Sequence, residues 1–147
     1  MSEEFTDKKT PEAIIELRKV AKRYTMGNQE FYALDNFDLD IQRNDYIAIT
    51  GQSGSGKSTL MNILGCLDYP SSGQYKLKNK DVSKLDETAL AGIRNLEIGF
   101  IFQSFNLVQV LNVFQNVEFP LLLQGNLTKG ERRTRVEQII ERVGLTP

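Results

Sequence analysis

Nine consecutive residues, Gly51-Gln52-Ser53-Gly54-Ser55-Gly56-Lys57-Ser58-Thr59, carry the clearest chemistry in this chain. Glycines at Gly51, Gly54 and Gly56 let the backbone turn through positive φ and bring successive N–H groups close to an anion. A helix opening at the lysine adds unpaired N–H groups and the positive end of its dipole. Lys57 supplies a mobile positive charge for terminal phosphates, and Ser58 offers a hydroxyl to Mg²⁺. The spacing G-x-x-x-x-G-K-[ST] is that of the P-loop, or Walker A, cradle for a nucleoside triphosphate.

Such a loop needs a strand before it and a helix after it. Tyr46-Ile47-Ala48-Ile49-Thr50 is mostly apolar and ends at Gly51, which predicts a strand buried on both faces. From Ser58 to Leu67 the apolar positions Leu60, Ile63, Leu64 and Leu67 have helical spacing. Upstream, Ala13–Val20 and Phe31–Leu34 read as short strands, and Phe37–Ile41 alternates strictly, as a half-buried strand does. A turn at Pro70–Gly73 precedes a predicted hairpin of Gln74–Leu77 and Val82 around Lys78–Asp81. Glu87–Leu96 predicts a helix and Ile98–Phe102 a second buried strand. Asn112–Leu123 predicts a helix closed by Gly125. Thr128 with Glu131 forms a capping-box pattern that opens a charged helix running to about Val143. This order predicts an α/β domain with an antiparallel portion near its N-terminus, preceded by a flexible tail over residues 1–11.

Composition narrows the function classes. The chain has 147 residues and a net charge of -1, so nothing in its balance favours nucleic acid or an anionic membrane surface as partner. A hydrophobic content of 40% argues against general disorder. Apolar runs such as Ile63–Leu67 and Phe119–Leu123 fall far short of the roughly 18 residues of a membrane span. Cys66 is the single cysteine and histidine is missing altogether, so an internal disulfide, a zinc site and any histidine-based nucleophile are excluded. A lone cysteine and a polar N-terminus suit a cytosolic setting.

Other proteins with this loop make different demands. A GTPase would need N-K-x-D, and Asn79-Lys80-Asp81-Val82 ends in valine. A phosphotransferase could use Arg132, Arg133 and Arg135 as a lid, although such a charge run is also what a solvated helix face looks like.

Three elements together resemble the nucleotide-binding domain of ABC transporters. Lys22-Arg23-Tyr24 resembles the aromatic A-loop that stacks on adenine, Gly51–Thr59 has the family's usual P-loop form, and Ile98–Gln103 resembles the strand entering the Q-loop. Leu64–Asp68, Ser72-Gly73 and Gln103–Leu107 are similar to the macrolide-export and lipoprotein-release branch. Taken alone, Tyr24 also reads as a half-buried strand aromatic and Gln103 as an exposed polar residue. The resemblance implies a P-loop NTPase (RecA-like) core over 45–103 and the start of a helical subdomain over 104–147. It implies ATP and Mg²⁺ as ligands, with Tyr24 and residues 51–59 on the nucleotide and Ser58 on the metal. Gln103 would position Mg²⁺ and water.

The implied partners are a second nucleotide-binding domain and a membrane permease docking on residues 104–123, which would hold the protein at the inner face of the membrane. The same apolar residues, Phe105 to Phe119, read equally as a buried helix face. The family often has proline near Gln109 and glutamate near Gln115, and this chain differs at both. Walker B, the catalytic glutamate, the LSGGQ signature and the switch histidine are missing, with no aspartate after Asp86. The expectation is therefore an ATP-binding subunit, or a fragment of one, without turnover by itself. The alternative is a non-hydrolysing nucleotide-binding or assembly protein. Marginal stability is also expected, since the strands at Tyr46 and Ile98 lack the neighbour that Walker B provides.

Overall fold

The computed structural model describes residues 13–145; the expected tail over residues 1–11 and the end at Pro147 lie outside them. The chain divides into two compact units, one ending at Gly99 and the other beginning at Phe100.

The first unit is built on one long hairpin. Three strands are expected near the N-terminus and two form: Ala13–Val20 extends into β1 (Ala13–Met26), while Phe31–Leu34 and Phe37–Ile41 merge into β2 (Gln29–Gln42), the two joined at Gly27, whose φ of 58° suits a tight turn. Pairing is antiparallel, with Leu17 opposite Leu39 and Tyr24 opposite Phe31. Register shifts between Leu17 and Lys22 mark irregularities of the bulge kind, and Lys19 N–H there donates to Asp38 Oδ1 at 2.6 Å. β3 (Ser72–Leu77) and β4 (Lys80–Asp81) form the expected hairpin and complete the order β2-β1-β3-β4.

α1 (Lys57–Leu64) and α2 (Glu87–Glu97) add Leu60, Ile63, Leu90 and Ile93 to a core with Leu17, Val20, Leu34 and Tyr75. Tyr75 is fully buried, and its hydroxyl donates to Leu64 O at 2.8 Å, which satisfies the one polar atom it brings inside. α1 is shorter than its apolar spacing predicts. It ends at Gly65, Cys66 takes a positive φ, and Leu67 is exposed.

Two expected strands do not form. Tyr46–Thr50 and Ile98–Phe102 lie outside helix and strand, and the side chains of Tyr46 and Ile101 are fully exposed. An apolar run becomes a strand only when a neighbour takes up its N–H and C=O groups, and no described strand pairs with either segment. Ile49 and Ile98 still pack against the core, so the apolar pattern is partly used.

In the second unit, α4 (Lys129–Arg142) begins at the predicted cap, Thr128, and α3 (Val113–Gln124) begins just after Asn112, where a helix is expected to start. Asn112 and Gln115 form a reciprocal capping box, as do Thr128 and Glu131. Gln115 thus performs the capping that a glutamate at this position would. Leu121 and Val136 are the buried residues of the two helices, and Arg132 bridges them by pairing with Glu118 at 3.3 Å.

Candidate functional site

The glycine-rich segment is shaped for close approach. Gly54 and Gly56 adopt φ of 81° and 85°, and Gly56 is the N-cap of α1. A Cβ on Gly56 would collide with the carbonyl oxygen of Ala33 and press on Leu34 Cδ2 at 3.2 Å, so the loop lies directly against β2. Ser55 N–H donates to Gln52 O at 3.3 Å, tightening the turn. Lys57 Nζ donates to Gly51 O at 2.9 Å and Gln52 O at 2.5 Å, and it reaches Ser55 Oγ at 3.4 Å. No acidic residue occupies the first turn of α1. Backbone donors, the helix dipole and one ammonium therefore converge with no opposing carboxylate in that turn, an arrangement that suits an anion.

A cavity of about 880 Å³ joins this loop to the hairpin. Ser53, Gly54, Gly56, Lys57, Ser58 and Thr59 line one side; Tyr24, Thr25, Met26, Phe31, Tyr32 and Ala33 line the other. Its size is within the roughly 300–1,000 Å³ usual for small-molecule sites. Polar donors face an aromatic wall, which matches a ligand with phosphates at one end and a flat ring at the other. The cavity brings the sequence candidates Tyr24 and the loop together and adds Phe31 and Tyr32, which the sequence did not single out. The Gly27-Asn28 turn was the available signal, because a tight hairpin there sets Phe31 opposite Tyr24.

Tyr24 is half-buried, and its ring centroid lies 5.7 Å from that of Phe31. Its hydroxyl donates to Asp68 Oδ2 at 3.3 Å, and Lys22 Nζ lies 5.3 Å from its ring centroid. Gln103 is exposed and belongs to the unit that begins at Phe100, whereas Tyr24 and the glycine loop belong to the other. Among the described residues no group of three or more carboxylate or cysteine side chains gathers to hold a metal ion. Of the P-loop hydroxyls, Ser58 is exposed at the cavity and Thr59 half-buried.

Two of the three arginines considered as a lid, Arg132 and Arg133, are engaged within their own unit. Arg132 donates to Leu127 O at 2.8 Å and pairs with Glu118, and Arg133 pairs with Glu137 one turn on at 2.8 Å. Phe105, Leu107, Val110, Val113 and Phe119 are exposed. Asn116, a residue that sequence reasoning did not single out, organises the loop before α3. Its Nδ2 donates to Leu111 O at 2.9 Å and its Oδ1 accepts from Val108 N–H at 2.9 Å. No helix of the described residues is long and apolar enough to cross a membrane.

Comparison with known proteins places these features in context. The ABC transporter family matches residues 34–147. The ABC transporter ATP-binding protein YknY of Bacillus subtilis (strain 168) is 48% identical over 132 residues, covering 90% of this chain and 57% of that protein. The macrolide export ATP-binding/permease protein MacB 2 of Aeromonas hydrophila is 46% identical over 135 residues, covering 92% of this chain and 21% of that protein. Among solved structures, the ATP-binding cassette MJ0796, dimeric and bound to ADP and Pi in a post-hydrolysis state, superposes with a TM-score of 0.78. It is 42% identical, and the match covers 86% of this chain and 56% of that one. The chain thus spans little more than half the length of YknY and MJ0796.

Proposed function

The chain belongs to the ABC transporter family, and from that premise we propose that it binds ATP in the cavity between the hairpin and the P-loop, as the ATP-binding part of a transporter. Its fold is α/β, like the P-loop NTPase cassettes it superposes on, with an antiparallel sheet and helices. The observation that carries the proposal is the cavity that joins the Tyr24 ring to the loop at Gly54, Gly56 and Lys57.

In this reading Tyr24, flanked by Phe31, offers its ring to adenine. Residues 51–56 present backbone N–H groups to the phosphates, together with the N–H groups at Lys57, Ser58 and Thr59. Lys57 exchanges its carbonyl partners for phosphate oxygens, which suits an amine on a flexible stem better than a guanidinium. Ser58 Oγ would hold Mg²⁺, which when bound neutralises phosphate charge; magnesium sites of this kind draw most of their ligands from phosphate and water. Gln103 is proposed to orient Mg²⁺ and water, because its amide both donates and accepts without adding charge.

The exposed apolar residues between Phe105 and Phe119 are proposed to receive a membrane permease at the inner membrane face, with the loop held by Asn116. MacB 2 is named as an export ATP-binding/permease protein and MJ0796 is dimeric. Export and pairing with a second nucleotide-binding domain are proposed here on that basis.

A thermal-shift titration tests the nucleotide reading. Ligand that binds the folded state raises the melting temperature with concentration. ATP with Mg²⁺ should raise it, and AMP, lacking the phosphates that Lys57 meets, should raise it much less. Equal shifts with ATP and AMP, or none with ATP, would overturn the proposal.

A further inference from the structure

Asp68, in the segment that follows α1, makes three polar contacts next to Tyr24. Its Oδ1 accepts from Lys22 Nζ at 2.6 Å and from Tyr69 N–H at 2.8 Å, and its Oδ2 accepts from the Tyr24 hydroxyl at 3.3 Å. Lys22 is only 7% exposed, also donates to Tyr69 O at 2.9 Å, and has its ammonium 5.3 Å from the Tyr24 ring centroid and 4.7 Å from that of Tyr69. Lys22 and Asp68 are not among the residues that line the cavity.

Asp68 is fixed in turn to the helix that opens at the P-loop. Leu67 N–H and Asp68 N–H donate to Asn62 O at 2.8 and 3.2 Å, and Cys66 N–H donates to Ile63 O at 2.9 Å. One end of α1 therefore carries the phosphate loop, while the segment anchored to its other end holds the Tyr24 hydroxyl. β1 alone does not set the separation between base platform and phosphate cradle.

Resting on the reading that Tyr24 stacks on a purine, we propose that Asp68, with Lys22, is the positioning residue that fixes the Tyr24 ring relative to the P-loop. A tyrosine held only by its strand would lose rotamer freedom on stacking, and a ring already fixed avoids that cost. The contribution is confined to ligands that carry a base.

The test is calorimetric titration of the full chain with ATP and with inorganic tripolyphosphate, both with Mg²⁺. D68A should weaken ATP by about threefold or more, a part of the affinity carried by aromatic stacking, and leave tripolyphosphate unchanged. In a Y24A background D68A should add nothing, because residues acting through one another are non-additive. D68N, nearly isosteric, should give a smaller loss of the same kind and serves if D68A does not fold. Unchanged ATP affinity, equal losses for both ligands, or full additivity with Y24A would overturn the role of Asp68. If the wild-type chain binds ATP no more tightly than tripolyphosphate, the Tyr24 reading itself fails. A Y24A effect without a D68A effect sinks only the role of Asp68.

Discussion

Gly56 lies so close to the carbonyl oxygen of Ala33 that a methyl group at Gly56 would collide with it. The phosphate loop is thereby pressed onto β2 at the two residues, Ala33 and Leu34, that follow the aromatic wall. At φ of 85° Gly56 also holds a backbone conformation that costs about 1–3 kcal/mol for other residues. G56A is expected to lower the melting temperature and to reduce ATP binding strongly. Melting by circular dichroism with calorimetric titration checks this, and an unchanged variant would count against the clamped loop.

The aromatic wall predicts a graded response. Aromatic stacking on a base contributes about 1–3 kcal/mol, so Y24A should weaken ATP binding by roughly five- to a hundredfold. F31A removes a ring pair worth about 0.5–1.5 kcal/mol and should cost less, near two- to tenfold. Titration with a fluorescent ATP analogue ranks the two, and a larger loss in F31A would contradict the assignment of Tyr24 as platform.

The cap of α4 predicts a pH dependence. Hydrogen bonds from the Thr128 hydroxyl and backbone N–H hold the Glu131 carboxyl below its ordinary value of 4.5. A depressed carboxylate contributes stability that is fully present above its unfolded pKa and is lost as pH falls through the lower folded one. Stability of the second unit should therefore fall below about pH 4.5, and E131Q should flatten that fall. T128A removes the cap itself and should cost about 1 kcal/mol near neutral pH. Denaturant melts at several pH values check both, and an unaltered acid profile in E131Q would refute the assignment.

Hydrolysis is a separate matter from binding. The 147 residues contain no histidine and no aspartate after Asp86. The polypeptide is expected to bind ATP without turnover above background, and phosphate release over hours by a coupled assay checks this. Turnover that disappears in K57A would contradict it.

Local chemistry was the legible part of this fold. The Thr128–Glu131 capping box, the hairpin at Lys78–Asp81 and the start of α1 at Lys57 depend on residues within four positions of one another, so their pattern is complete in the sequence. Tyr46–Thr50 and Ile98–Phe102 went wrong because an apolar run records that burial is possible and not whether a paired neighbour exists. The candidate site divides the same way. The loop from Gly51 to Thr59 is one contiguous motif, whereas Phe31 reaches Tyr24 only through hairpin register and Asp68 reaches it across 44 residues.

The central claim is that the cavity between Tyr24 and the P-loop holds a nucleoside triphosphate. The most direct measurement is calorimetric titration of ATP with Mg²⁺ into the wild-type chain and K57A side by side. Charge-assisted hydrogen bonds contribute about 1.5–3 kcal/mol, so K57A should bind roughly ten- to a hundredfold more weakly at nearly unchanged stability. Equal affinity in the two proteins, or no binding by the wild-type chain, would contradict the account.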